Sequence, residues 1–227
     1  MGENQTTRLK YLMRRTYVQS DLVNGAGQLQ FRMQRVVVSA IGVSTKVLVG
    51  RPVDTDDAVP SSGTLNMNDG CDAQMSVVLV TPDRYDAIRK TLEHLRAQTV
   101  LDQLEIVIVA LSAATLNFDA AELSAFGRVR VIEVGEIKST GRAIAAGVQE
   151  ASAPVVTYAE EHSYPAPGWA EALIKAHRQS WAVVGAAIAN ANPGNMISWA
   201  SLFTDFGPWV EPAEAGEIGH LPWHHAA

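Results

Sequence analysis

The feature that most constrains the fold is an alternation that begins at Met75. Short apolar runs rich in β-branched residues alternate with stretches whose apolar residues recur at helical spacing. The predicted strands are 75–81, 104–111, 129–135, 154–160 and 181–189. Strands that are apolar almost throughout are typical of a parallel sheet covered by helices on both faces. We therefore expect an α/β, Rossmann-like domain with a mostly parallel sheet.

Helices are predicted between these strands from one-sided apolar patterns. Ile88, Leu92 and Leu95 recur at i, i+4 and i+7, which places them on one face of a helix. A second helix is expected over 140–151 and a third over 167–177.

The segment that precedes the alternation differs from it in charge. Residues 1–51 carry eight Lys or Arg against two acids, whereas the rest of the chain carries ten against twenty-two. A basic segment can meet an anionic surface, so peripheral membrane contact through 1–51 is one expectation. A solvated arm of poorly defined structure is the other. Residues 52–74, rich in Asp, Asn, Ser, Pro and Gly, are predicted to be a linker.

Several classes of protein are disfavoured by what the sequence lacks. The single cysteine, Cys71, excludes an internal disulfide framework and a Cys-based zinc site. No signal peptide pattern and no run of 18 apolar residues is present, so a cytoplasmic location is expected. The stretch "TPDRYDAIRK" after the first strand contains no glycine, and the chain has neither a P-loop nor a Gly-x-Ser-x-Gly elbow. Dinucleotide-binding folds, P-loop proteins and serine hydrolases are therefore disfavoured.

Polar residues follow the predicted strands at the end where open parallel sheets bind ligands. The stretches selected by this rule are 81–84, 111–112, 135–142 and 160–164. The last contains Glu160, Glu161 and His162 directly after an apolar strand. Such groups can bind a divalent ion that keeps water and phosphate oxygens in its shell. The alternative interpretation is a pair of solvated loop acids beside a surface histidine.

Four stretches, taken in order, carry a resemblance to a known family. They are "SVVLVTPDRYDAIRKTLEHLRAQTV", "LEIVIV", "STGRAIAAGVQEASAPVVTYAEEHSYPAPGW" and "GHLPWHHAA". Most of 75–227 resembles family 2 glycosyltransferases of the GT-A fold. The resemblance implies a nucleotide-sugar-binding domain, incomplete at its C-terminus. It also implies inverting transfer of a sugar from a nucleoside diphosphate sugar to a glycan or lipid-linked acceptor, with no nucleic acid partner.

The resemblance also implies roles for individual residues. Counted back from the Pro-Gly-Trp at 167–169, the family's Asp-x-Asp motif falls on Glu160-Glu161-His162. Glu160 and His162 are thereby implied as ligands of Mn²⁺ or Mg²⁺, and Glu161 as a contact of the nucleotide sugar. The other implied nucleotide-sugar contacts are Thr81, Pro82, Asp83, Ser112 and Arg142. Arg142, at a helix start, suits a phosphate group, although a surface arginine is the alternative.

Two departures from the family pattern leave other hypotheses open. The second strand ends in Ala110-Leu111-Ser112, where the family usually has an aspartate, and no late acid matches the catalytic base. The catalytic residue is therefore unassigned. A catalytically silent nucleotide-sugar-binding domain is the main alternative, and an interaction module that uses the basic arm is another.

The late part of the chain is rich in aromatic residues. Trp209, Trp223 and His224 are expected on the acceptor side of the site. The spacing of Trp199, Phe203 and Phe206 instead favours one buried face of a helix.

Overall fold

The computed structural model describes residues 9–18, 37–40, 63–67, 72–82, 84–179, 181, 183–210 and 216–217. The strands are β1 (Leu9–Val18), β2 (Val37–Ala40), β3 (Gly63–Met67), β4 (Met75–Thr81), β5 (Leu104–Ala110), β6 (Arg128–Glu133), β7 (Val155–Ala159), β8 (Ser163–Pro165), β9 (Val183–Asn190) and β10 (Gly216–Glu217). The α-helices are α1 (Tyr85–Arg96), α2 (Ala113–Leu116), α3 (Ala120–Leu123), α4 (Thr140–Glu150), α5 (Trp169–Ala176) and α6 (Met196–Phe206). No helix in these ranges is both long and apolar enough to cross a membrane.

The strands form one sheet in the order β10-β1-β9-β2-β7-β4-β5-β6-β3, with β8 paired to β1. The neighbours β7, β4, β5 and β6 are parallel to one another. Strand β2 is antiparallel to both β7 and β9, so β9 runs in the same direction as the central four. The predicted α/β architecture with a mostly parallel sheet is confirmed.

The strands and helices predicted from 75 onward are present, and β4 has the predicted bounds. The structure differs from the linker prediction for 52–74, because β3 lies within that range and pairs antiparallel with β6. Leu65 of β3 is exposed, and no β3 side chain is fully buried. The strand is held by backbone pairing at the sheet edge rather than by apolar burial, so the apolar pattern does not reveal it.

Each face of the sheet has its own apolar core. On one face, β4 and β5 pack against α1 and α5, and the predicted stripe of Ile88, Leu92 and Leu95 is completely buried. On the other face, Val78 and Val109 pack against α4. Helices thus cover both faces, which explains why the central strands are apolar at nearly every position.

A buried charge joins the strands at their amino ends. Glu105 of β5 is fully buried and accepts hydrogen bonds from Ser76 Oγ, Ser152 N at 2.7 Å and Ser152 Oγ at 2.9 Å. Nε of Arg130 lies 3.1 Å from its Oε1. Because a buried carboxylate is stable only when it is paired and hydrogen-bonded, this network links β4, β5, β6 and the segment before β7.

Helix α4 approaches the sheet closely at a glycine. A Cβ atom added to Gly147 would lie 2.5 Å from Cγ1 of Val78 and 2.8 Å from Cγ2 of Val109. Only a residue without a side chain fits this distance without displacing its neighbours. The contact fixes α4 on the sheet and so fixes the position of its first turn.

We expect Gly147→Ala to be less stable to unfolding than Gly141→Ala by about 1–3 kcal/mol, the usual cost of overpacking. Gly141 lies in the first turn of the same helix, and the nearest atom to an added Cβ is 3.9 Å away. Both substitutions raise helix propensity, but only the methyl group added at Gly147 comes too close to side chains of the sheet. Urea denaturation of the two variants measures the difference, and equal stabilities would contradict the close packing.

Candidate functional site

The carboxyl ends of the central parallel strands meet at one edge of the sheet. Strands β4, β5, β6 and β7 end at Thr81, Ala110, Glu133 and Ala159. The first turn of α4 follows β6, and the turn 160–162 follows β7. Because ligands of open parallel sheets bind beyond this edge, the predicted stretches come to the expected part of the fold.

Within the turn 160–162, the side chains of Glu161 and His162 contact each other. Nε2 of His162 lies 2.9 Å from Oε1 of Glu161, and the two side chains are 12% and 29% exposed. Glu160 is half-buried. These acids and the imidazole are therefore not a fully solvated loop cluster. To use Nε2 as a metal ligand, His162 must first leave Glu161.

Helix α1 holds the backbone of this turn and of the segment after it. Oγ1 of Thr91 donates to the carbonyl of Glu161 at 2.7 Å. Nε2 of Gln98 donates to the carbonyl of Ala166 at 3.0 Å, and its Oε1 accepts from the amide of Ala170 at 3.0 Å. Gln98, two residues beyond the end of α1, therefore fixes the entry into α5, which gives a structural reason for the glutamine of the Ala-Gln-Thr stretch.

Strand β8 contacts the same helix through Tyr164. The Lys90 ammonium lies 4.1 Å from the centroid of the Tyr164 ring, and the His94 ring lies 5.2 Å from it. Burial lowers the pKa of His94, and Lys90 lowers it further, against a backbone hydrogen bond at Pro165 that raises it. At neutral pH His94 therefore stays uncharged beside the ammonium group.

Tyr158 lies on β7 just before the acidic turn. Burial raises the pKa of its phenol, and the carboxylates of Glu160 and Glu161 raise it further. The phenol is therefore neutral over the physiological pH range, and its pKa depends on the charge of Glu160 and Glu161.

Other predicted site residues serve local structure in this conformation. Thr81 is buried, and its hydroxyl donates to the carbonyl of Arg84 at 3.2 Å. Oγ of Ser112 accepts from the amide of Thr115 at 3.1 Å and so caps α2. Pro82 is exposed at the edge, while Asp83 lies outside the described residues.

The first turn of α4 presents Arg142. Its side chain is exposed, and its backbone amide donates to Oγ of Ser139, the N-cap, at 3.4 Å. An N-terminal helix turn with a guanidinium group is suited to an anion at this edge of the sheet.

Sequence reasoning missed Glu133, the last residue of β6. Its Oε1 accepts from the amide of Ala113 at 2.7 Å. The carboxylate therefore lies beside the end of β5, where the family's usual aspartate is absent. The available signal was an acid inside the apolar run 129–135.

Of the three residues predicted on the acceptor side, the structure describes Trp209. Trp209 is buried with Leu202 and Phe206, so in this conformation it serves packing. Trp223 and His224 lie outside the described residues. The prediction of a buried aromatic face is wrong for Phe203, which is 57% exposed and stacked on Trp199 with centroids 5.5 Å apart. The buried side of α6 instead follows Ser198, Leu202 and Phe206, one position away from Trp199 and Phe203 around the helix.

The side chains of the turn 160–162 can hold a metal ion only together with oxygen ligands from a substrate. Within the described part of the chain, no group of three or more His, Cys, Asp or Glu side chains could hold a metal ion. Glu160 and His162 offer one carboxylate and one imidazole. Since Mg²⁺ and Mn²⁺ usually keep water and substrate phosphate oxygens as ligands, these residues fit an ion shared with a diphosphate.

The parallel sheet, the helices on both faces and the polar carboxyl edge define an α/β ligand-binding domain of the Rossmann-like class. The family described as glycosyl transferase family 2 has a model that matches residues 76–220, and the chain belongs to this family. The family works with a nucleotide-sugar donor and an acceptor and typically uses divalent cations. The protein is thus a glycosyltransferase at the level of its family. Searches of curated proteins and of solved structures give no match.

We expect Tyr158 to ionise above the ordinary tyrosine pKa of about 10 in metal-free buffer. Because the phenol ionises less readily in the folded protein than in the unfolded chain, its contribution to stability is fully present below the unfolded pKa. This contribution is lost as pH rises through the folded pKa. Glu160→Gln removes a repelling charge and should lower the Tyr158 pKa. Ultraviolet titration measures this shift, with Tyr158→Phe to identify the signal.

Glu136→Gln is the control for that titration. Glu136 is exposed and pairs with Lys138 at 3.3 Å in the loop before α4. Its substitution should leave the Tyr158 titration unchanged. A Tyr158 signal at the ordinary pKa in the unmodified protein would contradict the buried, acid-flanked environment.

Proposed function

We propose that the protein transfers a sugar from a nucleoside diphosphate sugar to a glycan or lipid-linked acceptor, with Mn²⁺ or Mg²⁺ and with inversion at the anomeric carbon. The observation that carries the proposal is the Glu160-Glu161-His162 turn. It follows β7 at the ligand edge, inside the range that matches the family. Its position corresponds to the Asp-x-Asp motif of the family resemblance.

The charge of the edge supports a role for a cation. Glu133, Glu160 and Glu161 lie at strand ends that would face a diphosphate, and a diphosphate is itself anionic. Like charges at short distance repel strongly when they are partly desolvated. Arg142 and the first turn of α4 offer positive potential, and a divalent ion held by Glu160 and His162 would offset the rest.

The bound ion would stabilise the negative charge that develops on the diphosphate leaving group. The protein's own residues would orient the donor. The backbone of the turn, fixed by Thr91, would place Glu160 and His162, and Arg142 would contact a phosphate. In the proposed single displacement, the acceptor hydroxyl attacks the anomeric carbon opposite the diphosphate and loses its proton to a carboxylate base. That base has no assigned residue.

The contact between Glu161 and His162 favours a second candidate, a nucleotide-sugar-binding domain without turnover. In this conformation Nε2 of His162 contacts Oε1 of Glu161, so a metal at that nitrogen requires the contact to break. The two candidates share the donor site and differ only in catalysis. They are therefore separated by measuring binding and turnover on the same protein.

We expect calorimetric titration with UDP, GDP and dTDP sugars to show binding to one of these donors that depends on Mn²⁺. Glu160→Gln should weaken it about tenfold or more, since even residues that only support a metal ligand cost 10–100-fold in affinity when mutated. Asp102→Asn is the control, because Asp102 is exposed and lies directly before β5, at the opposite end of the strands, and this variant should bind as the unmodified protein does.

Release of nucleoside diphosphate in the presence of acceptors then distinguishes the candidates. Turnover supports the transferase, and binding without turnover supports the silent domain. Absence of binding to every nucleotide sugar, with and without Mn²⁺, would contradict both.

A further inference from the structure

Helix α1 and the residues directly after it contact the segment 160–170 through polar side chains. Thr91 and His94 lie three positions apart on α1, and Gln98 follows the C-cap of the helix, Ala97. Thr91 meets the acidic turn, His94 meets β8, and Gln98 meets the start of α5. The order of these three residues follows the order of the segment that they contact. Helix α1 and its C-terminal end therefore hold three successive parts of the chain, of which the first is the turn 160–162.

Thr91 bonds outside its own helix. A threonine inside a helix commonly returns its hydroxyl hydrogen bond to a carbonyl of the preceding turn. The hydroxyl of Thr91 instead donates to the carbonyl of Glu161 at 2.7 Å and lies 3.5 Å from that of Glu160. Thr91 is fully buried, and its β-branched side chain has few accessible rotamers in a helix. In this structure the acceptors outside the helix are the carbonyls of Glu160 and Glu161.

The two carbonyls belong to the residues that begin the candidate metal motif. The direction in which Glu160 and His162 project from the turn depends on the backbone angles between them. Within the turn, Nε2 of His162 contacts Oε1 of Glu161, and this contact must break for Nε2 to bind a metal. A backbone held from outside lets these side chains exchange partners while the turn keeps its shape.

We propose that Thr91 is a positioning residue for the turn 160–162. Its hydroxyl fixes the backbone of the turn, so that Glu160 and His162 are presented together to the ligand edge. The consequence for catalysis rests on the proposed function. The effect on the turn itself does not, and it can be measured without any ligand.

The variants for the test are Thr91→Val, Thr91→Ser and Thr99→Val. Valine has nearly the shape of threonine but no hydroxyl, whereas serine keeps the donor. Thr99 gives the matched control, because its hydroxyl donates to Oε2 of Glu171 at 2.9 Å, away from the turn. Thermal unfolding of all three variants reports any general loss of stability.

The first readout is backbone amide exchange at 160–163 in metal-free buffer. We expect Thr91→Val to raise exchange there about two- to tenfold, as the loss of one hydrogen bond implies. Thr91→Ser should restore most of the protection, and Thr99→Val should leave these amides unchanged. Equal exchange in Thr91→Val and the unmodified protein, or a rise spread evenly over the whole domain, would overturn the proposal.

The second readout is the Mn²⁺ concentration that half-saturates binding of the nucleotide sugar identified for the unmodified protein. Thr91→Val should raise it about two- to tenfold, and Thr91→Ser should not. If Thr91 had a purely structural role, Thr91→Val would lower the stability to unfolding without raising the half-saturating Mn²⁺ concentration. Serine would then have no such rise to reverse. If the unmodified protein binds no nucleotide sugar, the proposed function fails, and amide exchange alone decides the role of Thr91.

Discussion

The constraint on which the rest of the structure depends is the shared direction of β7, β4, β5 and β6. Because these neighbours are parallel, each connection between them must return along a face of the sheet, and helices provide that return. The same direction brings four carboxyl ends to one edge. The apolar strands, the two cores and the polar edge therefore follow from a single arrangement.

The parts of the fold that could be predicted are those whose residues are buried on both sides. All seven residues of β4 are buried, and so are all seven of β5, whose predicted range differs from the observed one by a single residue. Strand β3 could not be predicted from its side chains, since it pairs at an edge and buries little. Phe203 shows the same limit: helical spacing identifies a face, but the neighbouring elements decide which face is buried.

The position of the turn 160–162 after β7 could be predicted from the sequence, whereas its contacts could not. The rule for parallel sheets gives that position, and the role of the turn in binding a metal and a donor stays a proposal. The hold of Thr91 on that turn joins residues about seventy positions apart, and no local pattern encodes such a contact. Likewise, Ser112 looked like a ligand contact by position, whereas its hydroxyl serves as a helix cap.

The buried network around Glu105 lies at the amino ends of the strands, opposite the acidic turn. Its partners are drawn from β4, β6 and the segment before β7, so this end of the sheet is tied together independently of the other. None of the residues 160–162 takes part in this network, so substitutions in the turn leave it intact. The two ends of the same strands can therefore be altered separately by mutation.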